Sequence, residues 1–118
     1  MSAIFDEHGD LRKQIATRQE DVDRYTGLIS RLEAGAAELR KQIADEETRT
    51  GVVDQQSTRY STIAAAAQAR LGNSLRSIEV LNVDLGIVQE ELALAKDRLA
   101  AAERISARRE ARAPKKSA

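Results

Sequence analysis

Few side chains in this sequence could do chemistry, and their types and spacing argue against each. His8 is the single histidine, and the chain has no cysteine. No thiolate nucleophile, disulfide frame or thiolate metal site can form, and one imidazole supplies at most one ligand or one general base. The carboxylate pairs Glu46-Glu47 and Glu90-Glu91 are adjacent in sequence, which on a helix turns the two members about 100° apart. Acid–base work needs groups that converge on a substrate in a pocket. Gly27, Gly35, Gly72 and Gly86 occur singly, without the clustered glycines of a phosphate loop. The pattern predicts a protein that is not an enzyme and that uses no cofactor or metal.

Two other groups of residues can carry binding. Val80, Val83, Ile87 and Leu94 stand at spacings of 3, 4 and 7, with Gly86 beside them. On a helix that spacing draws one apolar stripe, which predicts a docking face or an oligomer contact. The C-terminal stretch holds Arg98, Arg104, Arg108, Arg109, Arg112, Lys115 and Lys116. Basic residues suit a helix C-terminus. Without interleaved aromatics or a reading motif, a nucleic-acid role is not expected; an acidic protein surface is the expected partner, with Arg104, Arg108, Arg109 and Arg112 making the contact.

The elements that position these residues are two helices. From Leu11 to Thr50 the positions Leu11, Ile15, Arg18, Val22, Tyr25, Ile29, Leu32, Ala36, Leu39, Ile43, Glu46 and Thr50 follow a 4-3 alternation. Most are apolar, so the line reads as a heptad seam, and its phase extends back to His8 and Ile4. Gly51 is the expected stop. A second seam runs Tyr60, Ala64, Ala67, Leu71, Ser74, Ile78, Leu81, Leu85, Val88, Leu92, Ala95, Leu99, Ala102, Ser106. Asp54 or Ser57 is the candidate N-cap, and Pro114 limits continuation. No period-two alternation suggests a strand. The expected fold is all-α, one long two-helix antiparallel coiled-coil hairpin over 1–118. Helix one covers about 6–50, the turn about 51–54, helix two about 55–112, and a basic tail 113–118. Such helices would span roughly 60 and 85 Å, and a fold-back at 52–53 would set Leu11 opposite a residue near 94.

Composition agrees with a rod. The only aromatics are Phe5, Tyr25 and Tyr60, few for a globular core. Basic and acidic residues balance at 19 each, so net charge favours neither nucleic acid nor an anionic membrane surface. Residues 1–50 carry 8 basic and 11 acidic side chains, whereas 98–118 carry 7 and 2; the basic end is local. No apolar run approaches the roughly 20 residues of a membrane span, and the start lacks signal-peptide character. A soluble chain of the cytoplasm is expected.

The stretch IADEETRTGVVDQQSTRYSTIAAAAQARLGNSLRSIEVL resembles the FliJ family of flagellar export proteins in its alphaproteobacterial form. The matching features are Ile43-Ala44, Glu46-Glu47, Gly51, Asp54, Tyr60, the alanines at 64–66, Arg70, Asn73, Leu75 and Ser77. The resemblance covers about residues 28–112. The chain departs from the family in its acidic start, Ile4-Phe5-Asp6-Glu7, and in a shorter C-terminus. The resemblance implies a non-enzymatic stalk or adaptor of the flagellar type III export apparatus. Its paired termini would enter the export ATPase, its middle would contact the membrane export gate, and it would help cycle export chaperones. Membrane association would be only peripheral, at the inner membrane through those partners. The competing readings are a general coiled-coil chaperone, a spacer, or a virulence-type secretion stalk.

Overall fold

The computed structural model describes residues 7–112. Among them are two helices, α1 over Glu7–Thr50 and α2 over Thr62–Arg112, and no strand. They form an antiparallel helical hairpin whose contacts group into two units. One unit is Arg24–Leu85, and the other joins the chain up to Asp23 with the chain from Gly86 onward. Ile4, Pro114, Lys115 and Lys116 lie outside the described residues.

In the Arg24–Leu85 unit the heptad seam is the buried line. Ile29, Ala36 and Ile43 of α1 and Tyr60, Ala64 and Ala67 of the returning chain are all buried. Ala64 has no exposed surface at all. Alanine at facing seam positions lets the backbones approach, and the four-alanine run 64–67 is split by helical geometry, 64 and 67 inward, 65 and 66 outward. In the other unit, Leu11, Leu92 and Ala95 are buried. Every other seam position from residue 11 onward is half-buried. A period of 3.5 apolar positions therefore located the interface of both helices residue by residue.

α1 ends where the sequence predicts. Gly51 takes φ +72°, the left-handed conformation that only glycine adopts without a Cβ clash, and its N–H donates to the Glu47 carbonyl at 2.8 Å. That bond closes the helix by satisfying one orphan carbonyl.

The connection is longer than the sequence suggests: α2 begins at Thr62, not near residue 55. Asp54 and Ser57 do not cap it. The Asp54 carboxylate accepts the Gln56 N–H and the Ser57 hydroxyl accepts the Arg59 N–H. Their carbonyls accept the N–H groups of Ser57 and Tyr60. Two consecutive turns result, because short polar side chains offer the backbone a local alternative to the helix. Ser61 is the N-cap, its hydroxyl accepting the Ala64 N–H at 3.1 Å.

The longer connection moves the fold-back point from residues 52–53 to about 56, which corrects the expected pairing. Leu11 does not face residue 94: its neighbour Arg12 pairs with Glu103 at 3.6 Å, and His8 lies 3.4 Å from Ser106. The start of α1 thus joins the seam.

Candidate docking surfaces

At the turn, Tyr60 and Ser61 fasten the connection to α1. The Tyr60 hydroxyl donates to Glu47 at 2.8 Å and the Ser61 hydroxyl donates to Glu46 at 2.8 Å. Arg49 grips the same Glu46 carboxylate with two bonds of 2.9 Å. These donors, Arg49 foremost and Ser61 second, hold the Glu46 carboxyl down to about 2, against burial that acts the other way. Burial pushes the Tyr60 phenol up from its ordinary value. The Glu46-Glu47 pair is therefore a structural clasp, its members turned to different donors.

The clasp has a pH signature. A carboxyl with a folded pKa near 2 and an ordinary value of 4.5 contributes its full stabilisation above about pH 4.5. That contribution is lost as pH falls toward 2. Protection of the Ala64 amide against hydrogen exchange is expected to decline across that window, and Glu46→Gln should remove the decline. An identical acid transition in the Gln variant would show that another group controls it.

In the Arg24–Leu85 unit, Val80 and Val83 are each 60% exposed. In the other unit, Ile87 is 53% and Leu94 54% exposed. Their side chains are free of the seam, as the heptad phase requires. Val80 lines a shallow groove of about 490 Å³ with Leu32 of α1, Arg76, Ser77 and Leu81. At about 100° per residue the stripe lies roughly 140° around α2 from the seam, and Val80, its member nearest the seam, stands at the groove's edge. Arg76 is held there by a hydrogen bond to Asn73.

Gly86 has open space where a Cβ would stand, and so does Gly35. Neither is required by packing within the chain. Gly35→Ala and Gly86→Ala are each expected to raise stability by about 1 kcal/mol, read as a higher thermal midpoint. A lowered midpoint would mean that the helix needs glycine there.

The arginine-rich end belongs to the unit from Gly86 onward. Arg104, Arg108, Arg109 and Arg112 are exposed, and among the described residues none is tied into an ion pair. By contrast, Arg12 and Arg18 of α1 are paired with Glu103 and Glu91. Four further aliphatics outside the predicted stripe are exposed: Val53, Ile63, Leu75 and Ile105. Ile105 had a legible signal, since it stands eleven residues after Leu94 on the same helix face.

No group of three or more potential metal ligands occurs among the described residues, and no described helix is long and apolar enough to cross a membrane. Comparison with family models, curated proteins and solved structures produced no match.

Proposed function

We propose that the chain is a non-enzymatic stalk or adaptor of the bacterial flagellar type III protein export apparatus. In this reading it works in the cytoplasm and reaches the inner membrane only through its partners. It couples the export ATPase to the membrane export gate and to chaperone cycling. One observation carries the reading beyond the resemblance at the turn. The start of α1 and the basic end of α2 lie side by side, His8 against Ser106 and Arg12 against Glu103. That end presents four arginines without an ion pair among the described residues. A two-helix end of this kind suits insertion between the subunits of a ring with acidic contacts. The stripe Val80, Val83, Ile87 and Leu94, with Gly86, is the face offered to the gate or to a chaperone held there.

Pull-down with a purified flagellar export ATPase tests the reading. The parent chain is expected to be retained, and reversal of Arg104, Arg108, Arg109 and Arg112 to Glu should abolish retention while helicity stays near the parent's. Unaltered retention after reversal would mean that the basic end is only solvated.

A general coiled-coil chaperone is the second reading, favoured by Val53 and Ile63. Both are aliphatics left exposed near the turn, where a client's apolar segment could be held.

A further inference from the structure

We infer that the outer face of α2 between Leu94 and Arg112 is a second heptad seam, built for a third helix from an acidic protein. This inference shares Leu94, Arg108 and Arg112 with the surfaces of the flagellar reading but does not depend on its partners, and it uses only residues of the unit from Gly86 onward. Leu94, Arg98, Ala101, Ile105, Arg108 and Arg112 follow one another at spacings of 4, 3, 4, 3 and 4. That is the same alternation that marks the intramolecular seam, displaced around the helix. Leu94 is 54% and Ile105 47% exposed; the three arginines are exposed, and Ala101 is half-buried.

The charge of this face decides the occupant. None of the three arginines makes an ion pair with a described residue. Of the nearby carboxylates Glu103 faces Arg12 of α1, and neither Asp97 nor Glu110 forms an ion pair with these arginines. Two copies laid antiparallel over this stretch would set Arg98 against Arg108, and parallel copies would set each arginine against itself. Like charges at facing seam positions disfavour self-pairing. A partner helix with glutamates at the matching positions satisfies each guanidinium, while its aliphatics cover Leu94 and Ile105. Phosphate-bearing partners answer the arginines but leave the aliphatics unmatched.

The test uses the full chain and a synthetic helical peptide whose a/d line carries glutamate where it faces Arg98, Arg108 and Arg112 and leucine where it faces Leu94, Ala101 and Ile105. Binding is expected at low salt, weakening by at least about tenfold when the peptide's glutamates become glutamine. Leu94→Ser with Ile105→Ser should weaken binding by a similar factor, since both side chains are exposed and thermal unfolding should stay unchanged. Arg98→Gln with Arg108→Gln should do the same and serves as the second variant if the first unfolds early. Absence of peptide binding would overturn the inference, as would binding indifferent to Leu94 and Ile105. Tighter binding to phosphatidylserine vesicles or random duplex DNA than to the peptide would also overturn it. So would a dimer of the chain that the peptide does not displace.

Discussion

Replacing Ala64 by aspartate is expected to unfold the closed end of the hairpin, while the same change two residues on is tolerated. Ala64 is fully buried at the start of α2, just after the Ser61 cap, where a short carboxylate cannot reach water. A charge enclosed there without a partner costs about 3 kcal/mol or more, or forces the helices apart. Ala66 belongs to the same four-alanine run but faces outward. Aspartate at that position pays only the weak helix propensity, under about 1 kcal/mol, partly offset by the positive N-terminal end of the helix dipole. Thermal unfolding followed by circular dichroism separates the two variants. Equal destabilisation by both would mean that the run packs without a preferred face, which contradicts the heptad phase.

That contrast reflects what the sequence makes legible. A seam is a repeated signal: each position from Leu11 to Thr50 and from Tyr60 to Ser106 repeats the same geometric statement, so the phase survives polar intruders such as Arg18 and Glu46. The start of α2 has no such redundancy. Tyr60 sits on the heptad line and is buried, yet it is not helical. The turns at Asp54 and Ser57 deliver it to the seam from the connection, where its hydroxyl reaches Glu47. A signal was present in Ser57, Thr58, Ser61 and Thr62, hydroxyl residues that compete with helical hydrogen bonding and favour caps and turns. The seam phase outweighed it, because apolar periodicity does not distinguish a buried loop residue from a helical one. The pairing error at Leu11 followed directly, since a misplaced fold-back point shifts every cross-helix partner. Surface readings behave differently again. The exposure of Val80, Val83, Ile87 and Leu94 follows from phase alone, whereas the groove that Val80 shares with Leu32 depends on how the two helices meet. Ile105 is a single aliphatic in a stretch dominated by Arg104, Arg108 and Arg109, where charge masks apolar periodicity.

The stripe supplies the largest functional effect expected under the flagellar reading. Changing Val83 and Ile87 together to Ser should leave thermal unfolding near the parent's, because each side chain is more than half exposed and neither occupies the seam. Burial of such a pair by a partner would contribute up to roughly 1.5–3 kcal/mol per side chain, less the cost of ordering both surfaces. Losing even half of that from two positions corresponds to a drop in affinity of roughly tenfold or more. The double variant should therefore bind the cytoplasmic part of the export gate at least tenfold more weakly, and cells carrying it should swarm poorly. Val83 and Ile87 are four residues apart on one helix, so a partner that covers one must cover the other. Each single change should then account for a large part of the loss. Early unfolding of the double variant would place these side chains in an intramolecular contact. Normal stability with normal gate binding and motility would reduce the stripe to surface composition, leaving the arginine-rich end as the docking surface of the chain.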